Sequence, residues 1–230
     1  MTTRFLSCIA SVIALAAPLA MPAAAQANEG KIQVKLLATG VLPNGKIDAV
    51  RTANVSLPAG TDTKANDNVV PTIAVEYFFS NQVSVETICC LTSHHVNGAG
   101  AIAGVDNLID NVLILPATVT FKYHLTGLGP IKPYVGAGPS YFIILDSKVG
   151  AGGQAALGAT SADVKSKLGV ALQAGVDIPI GPKGFGISFD AKRYFMRPIA
   201  AFYNASRATI LETRHKLDPW VLSGGISYRF

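Results

Sequence analysis

The chain has 230 residues, 50% of them hydrophobic and only 14% charged, with a formal net charge of +5. A soluble domain normally carries about 25% charged residues, yet after the first 25 positions no apolar run reaches the roughly 20 residues that a membrane-crossing helix needs. Lys35, Glu76, Glu86, Lys122, Asp177, Asp190 and Lys192 interrupt every candidate, and no Lys/Arg cluster beyond Lys192–Arg193 marks a nucleic-acid face.

The first element is an export signal over residues 1–25. Arg4 supplies the positive start, Phe5 to Met21 the apolar stretch, and Ala23-Ala24-Ala25 a small-x-small cleavage site, with Ala25-Gln26-Ala27 as a second choice. A retained anchor fits less well, because small residues and two prolines end the run. Cys8 lies inside the apolar stretch, too early for lipid attachment. Residues 26–230 are then the mature chain.

From there the sequence alternates with period two, which sends successive side chains to opposite faces of a strand. The first strand sets Ile32, Val34, Leu36 and Ala38 against Gln33 and Lys35. The second sets Val69, Ile73, Val75, Tyr77 and Phe79 against Thr72 and Glu76. In the third, Val83, Val85, Thr87 and Cys89 oppose Ser84 and Glu86. The fourth has Leu115, Val119, Phe121, Tyr123 and Leu125 on one face, with Thr118, Thr120, Lys122 and His124 on the other. The fifth has Val135, Ala137, Tyr141 and Ile143 against Tyr134, Gly136, Gly138 and Ser140. Leu168, Val170, Leu172, Val176 and Ile178 oppose Gln173 and Asp177 on the sixth. Phe185, Ile187 and Phe189 oppose Ser188, Asp190 and Lys192 on the seventh. The eighth sets Trp220, Leu222, Gly224, Ile226, Tyr228 and Phe230 against Val221, Ser223, Gly225, Ser227 and Arg229.

Bulky residues keep one parity, and small or charged residues the other. That suits a wall with lipid outside and a polar interior. Long connections (Gly40 to Asn68, Ser93 to Asn111, Ser147 to Asp163, Pro198 to Lys216) alternate with tight turns at Ser80–Asn81, Gly127 to Pro130 and Gly181 to Gly184. Outer-membrane barrels have this asymmetry, with long loops outside and short periplasmic turns. The expected fold is all-β: an eight-stranded antiparallel transmembrane β-barrel in a bacterial outer membrane, with both termini periplasmic. A soluble barrel or sandwich would also alternate, but it would bury the bulky face and need more charge outside. The terminal Tyr228-Arg229-Phe230 looks like the strand end recognised by bacterial barrel-assembly machinery. Cys89 and Cys90 are neighbours on a strand, facing opposite sides; a strained vicinal disulfide and two free thiols are both open, the second favoured.

Four motifs lie in order along the chain: Leu115-Pro116-Ala117-Thr118, Ile131-Lys132-Pro133-Tyr134-Val135-Gly136-Ala137-Gly138, Ala174-Gly175-Val176-Asp177, and Leu217-Asp218-Pro219-Trp220 closing with Tyr228-Arg229-Phe230. With them the chain resembles the outer membrane protein W family of small bacterial barrels over nearly its whole mature length. The resemblance implies eight strands around a hydrophobic bore that passes small apolar compounds and releases them sideways into the membrane. It also implies an apolar residue on the third strand and an aromatic on the seventh that narrow the bore. These positions match Ile88 and Lys192, the second a departure, since a Lys makes no such constriction unless its stem lies along the wall.

Strand direction sorts the inward residues by height. Toward the outer end Leu37, Ile88, Phe142, Ile144, Tyr194 and Met196 give an apolar upper bore. Lys35, Glu76, Glu86, Lys122, Asp177, Asp190, Lys192 and Arg229 form a polar floor of mixed sign, where buried charges need partners. An apolar solute would enter from above and leave through the wall. Pro116, Pro139, Gly136 and Gly138, on strands four and five, are candidates for a gap because proline and glycine weaken pairing. Bulges at the prolines and relief of crowding at the glycines also explain them, and this reading is the favoured one.

No catalytic, metal or cofactor site is expected. Ser93 and His94 lack an orienting carboxylate nearby. His94–His95 lacks further ligands beyond the distant His215 and Asp218. Gly150 to Gly153 fits no phosphate loop and is expected to be a mobile external loop. The expected partners are outer-membrane lipid, small apolar solutes and the assembly machinery. The alternative function is a structural or interaction barrel whose loops bind a partner; a lipid-modifying enzyme ranks third.

Overall fold

The computed structural model describes residues 30–181 and 183–230; the expected signal, residues 1–25, lies outside the described residues. In chain order the elements are β1 (Ile32–Leu42), β2 (Lys46–Ala53), β3 (Thr61–Ala65), β4 (Asn68–Phe78), β5 (Val83–Cys89), β6 (Thr92–Gly100), β7 (Ile109–His124), β8 (Lys132–Val149), α1 (Ala151–Leu157), β9 (Ser161–Val164), β10 (Lys167–Pro179), β11 (Phe185–Phe195), β12 (Ile199–Tyr203), β13 (Thr209–Lys216) and β14 (Trp220–Arg229).

Eight of these strands close a wall by antiparallel pairing, in the order β1–β4–β5–β7–β8–β10–β11–β14 and back to β1. Closure matters because lipid offers no hydrogen bonds to a bare strand edge. The third strand of the wall is interrupted. β5 and β6 lie against β7 in one register, with Ile88 opposite Thr118 and Thr92 opposite Ile114, and Cys90–Leu91 falls between them.

The parity read from the sequence is the parity of the wall. Leu36, Phe121, Ile226 and Leu168 face outward and are 53%, 61%, 59% and 65% exposed, while Lys35, Glu76, Glu86 and Lys122 are buried inside. In water each such outward side chain would forgo roughly 1.5–3 kcal/mol of burial energy, so this arrangement is favourable only with hydrocarbon around the barrel. Large inward groups need space on the neighbouring strand: Tyr134 lies against Gly175, where a Cβ would overlap its hydroxyl.

Gly30 and Phe230 define the lower end. The tight turns are there, including Gly127, Gly129, Gly181 and Gly184, each with positive φ. Outward rings gather at this end, with Phe185 against Tyr228 at 4.7 Å and Tyr77 edge-on to Phe79 at 5.2 Å. At the upper end Arg193 lies 5.2 Å over the Trp220 ring.

The long connections are more folded than expected. β2, β13, β12 and β9 make a second, four-stranded sheet in that order, and β3 pairs with β6. Ala162, Phe202, Ile210 and Leu211 from these segments join an apolar cluster at the top of the bore, and that packing holds them. Gly150 to Gly153, expected as a mobile loop, instead leads into α1. Glycine costs about 1 kcal/mol per helical position relative to alanine. Here it is required, because a Cβ on Gly152 or Gly153 would overlap the carbonyls of Asp106 and Leu108. Gly158 ends the helix in the left-handed region at φ 64°, donating to the Gln154 carbonyl at 2.9 Å.

Candidate functional site

Three lysines and four carboxylates meet inside the lower half of the barrel. Lys35 reaches Glu76 at 3.0 Å, Glu86 at 3.2 Å and Asp177 at 3.1 Å. Lys122 reaches Glu76 at 2.8 Å and Glu86 at 2.9 Å. Lys192 reaches Glu86 at 3.1 Å and Asp190 at 2.7 Å. Glu86 is therefore touched by all three ammonium groups. Neutral groups take up remaining lone pairs: Gln173 donates to Glu86 at 2.9 Å and Asp190 at 2.6 Å, Tyr134 donates to Asp190 at 2.8 Å, and Ser188 donates to Asp177. His124 and Ser84 both bond Glu76. A buried charge is tolerated when paired and hydrogen-bonded in this way, and in a narrow eight-stranded barrel such side chains fill the interior.

Seven of the residues expected in the floor are thus joined: Lys35, Glu76, Glu86, Lys122, Asp177, Asp190 and Lys192. Arg229 lies lower, donating to the Gly30 carbonyl at 2.7 Å, with its guanidinium 3.6 Å over the Phe78 ring. Gln33, His124, Asp177, Ser227 and Arg229 border a cavity of about 350 Å³ at this end. Gln173, Tyr134 and Ser84, inward by parity but uncharged, belong to the network as well, each bonded to one of its carboxylates.

Above the network the bore changes character. Ile88, Phe142, Ile144, Tyr194 and Met196 line one cavity of about 90 Å³, with prolines, valines and Cys90 completing most of its wall. Leu37, expected in the same lining, packs with Ala74 and Ile88 beneath it. The Phe142 and Tyr194 rings meet edge to face at 5.2 Å and 85°. Cys90 is buried on the bore side and Cys89 exposed on the lipid side, both as free thiols.

Two histidines border the top of this cavity. His94 places Nδ1 2.8 Å from the Asn66 carbonyl and Nε2 2.9 Å from the Thr92 hydroxyl. His215 is held by the Gly45 carbonyl and the Thr213 hydroxyl. A carbonyl accepts only, so each Nδ1 carries the proton and each Nε2 accepts. Burial holds both imidazoles below the usual histidine range. Ser93 bonds Asn111 rather than His94, so those two do not pair.

A family model described as the OmpW family matches residues 28–230. The chain belongs to the OmpW family. Like other members it is an outer-membrane barrel of bacteria, not an enzyme. It is 30% identical to the outer-membrane protein y4mB of Sinorhizobium fredii, across 99% of this chain and 97% of that one. It is 28% identical to the dibenzothiophene metabolism operon protein PahQ of Pseudomonas aeruginosa, across 74% and 76%. Among solved structures, the outer membrane protein OprG of Pseudomonas aeruginosa superposes with a TM-score of 0.74 at 21% identity, covering 87% of this chain and 96% of OprG.

Within this OmpW-family barrel the seventh-strand match, Lys192, turns downward into the charge network and leaves the apolar cavity to its neighbours. The inward-facing ring on that strand is Tyr194, two residues further up on the same face.

Proposed function

We propose that the barrel admits small apolar molecules from outside into its upper bore, and that they leave sideways into the membrane above the charge network. In this reading the lower end and both termini are periplasmic, and the C-terminal strand is what the assembly machinery engages. The observation that carries the proposal is an apolar cavity seated directly above a closed set of buried ion pairs.

Magnitudes favour the sideways exit. A solute burying roughly 100 Å² of apolar surface gains about 2.5 kcal/mol on entering. Passing the floor means parting buried pairs, and breaking one costs about 3–5 kcal/mol. The wall supports an exit at the third strand. On β4 pairing with β5 runs upward only to Ile73 opposite Cys89, although β4 continues to Asn68. On β7 it lapses between Thr118 and Ile114, around Pro116, which has no N–H to give. The β7–β8 seam is a weaker candidate, because Gly138 presses so close to Val119 that a Cβ would overlap its carbonyl. The name of PahQ, from a dibenzothiophene operon, points to the same solute class, since dibenzothiophene is a flat apolar molecule.

Uptake of an apolar solute into liposomes carrying the barrel tests this. Ile88→Lys and Phe142→Asp each put a charge in the cavity and should lower uptake at least tenfold. Unchanged uptake in both variants would count against the proposal and favour a structural or partner-binding barrel.

A further inference from the structure

A belt of hydroxyl groups separates the apolar cavity from the charges. Thr39 bonds Ser223 at 2.8 Å, and Thr118 bonds Ser140 at 2.7 Å, so these pairs satisfy one another. One hydroxyl of the belt is unsatisfied and another is only weakly bonded. Thr72 is 2% exposed, and its Oγ1 has no hydrogen-bond partner among the described residues. The Tyr194 hydroxyl reaches Thr118 Oγ1 at 3.4 Å, long for an O–H···O bond. A buried hydroxyl without a partner is a net cost to the fold, which valine of the same shape would avoid.

Tyr194 lines the cavity, and Thr72 lies next to a lining residue, Cys90. Ile73 pairs with Cys89, so the next inward residues, Thr72 and Cys90, are neighbours across that seam. Thr118, where the Tyr194 hydroxyl points, pairs with Ile88 on the other side of β5. Ile88, Cys90 and Tyr194 all line the cavity.

We propose that Thr72 and Tyr194 form a docking point for the polar end of an otherwise apolar solute, a neutral hydroxyl compound such as a phenol or short alcohol. The proposal rests on the reading of the upper bore as a binding space for apolar molecules and names the kind that it holds best. A hydroxyl both donates and accepts, which matches two hydroxyl partners. A carboxylate does not fit: the nearest ammonium below, Lys192, is already bonded to Glu86 and Asp190, and a bare charge in an apolar cavity is strongly disfavoured. The cavity is smaller than the ~150 Å³ that holds benzene, so a ring loads by displacing a soft side chain; unbranched Met196 is suited to that.

Phenol and toluene have the same size and differ in one hydroxyl, so they separate docking from apolar burial. The full barrel in lipid nanodiscs is titrated with each, following the Ile88 methyl resonance against free aqueous probe. The phenol-to-toluene affinity ratio should fall about fivefold in Thr72→Val and in Tyr194→Phe, the loss of one hydrogen bond. Both changes keep the shape of the side chain, and an unchanged Trp220 emission verifies folding. A ratio unchanged in both variants, with Ile88 still responding to toluene, overturns the docking point and leaves the apolar bore standing. No response of Ile88 to either probe in the native chain overturns both.

Discussion

Neutralising Glu86 should destabilise the barrel more than neutralising Lys192, and the contacts set the order. The Glu86 carboxylate touches Lys122, Lys192 and Lys35 at 2.9, 3.1 and 3.2 Å. Glu86→Gln keeps the shape and leaves three ammonium groups to share Glu76, Asp177 and Asp190. Lys192→Met keeps the stem and removes one cation. It leaves Glu86 with two lysines and Gln173, and leaves Asp190 with Tyr134 at 2.8 Å and Gln173 at 2.6 Å. Removing one partner from a buried pair costs about 3–5 kcal/mol; the expected losses are about 5 kcal/mol for Glu86→Gln and about 3 kcal/mol for Lys192→Met. Because the two residues touch, the double variant should lose less than the sum, by about 0.5–3 kcal/mol. Urea unfolding in lipid vesicles measures all three, with Trp220, the one tryptophan of the chain, as reporter. A native midpoint for Glu86→Gln, or strict additivity in the double variant, would refute the network as described.

Three further outcomes are expected. Toluene should protect Cys90 from a small neutral maleimide and leave Cys89 reactive, because Cys90 lines the cavity and Cys89 faces lipid; peptide mass spectrometry reads the two sites, and equal protection would sink the assignment of faces. The upper extension should loosen in acid. Burial lowers the folded-state pKa of His94 and His215, so the unfolded state binds more protons, and stability drops as pH falls below about 6.5. Hydrogen exchange in β6 and β13 would report this, and replacing both histidines by glutamine should flatten the dependence. Gly175→Ala should lower the urea midpoint by an overpacking cost of about 1–3 kcal/mol, since its Cβ would overlap the Tyr134 hydroxyl and the Phe189 carbonyl; an unshifted midpoint would show that the wall yields there.

The wall was legible in the sequence because it separates two solvents. Leu36 and Lys35, or Phe121 and Lys122, are adjacent in the chain and opposite in environment, and only alternation satisfies both. Above the membrane that contrast fades. In β2 nearly every side chain is exposed or half-exposed, and in β12 Ala200, Ala201 and Phe202 are buried in succession, so neither strand alternates apolar with polar. The four-stranded sheet is held by apolar packing over the mouth, which is a tertiary fact. α1 was hidden for another reason: its opening glycines argue against helix, and only the carbonyls of Asp106 and Leu108 explain them. Parity also gave the members of the charge network but not its bonds, since Lys35 and Asp177 are 142 positions apart.

Lys192 connects the floor to the proposed exit. Without it, Lys35 and Lys122 would face four carboxylates alone. With it, Asp190 gains a cation at 2.7 Å, and the top of the network stands within two residues of Tyr194 on the same face of β11. The inward ring of β11 is Tyr194, and Phe142 packs against it. The residues lining the apolar bore above this network include Ile88 and Cys90. Pairing of β5 ends beside them, at Ile88 with β7 and at Cys89 with β4. A solute descending the proposed route would therefore meet buried charge at the height where β5 stops pairing with β4 and β7.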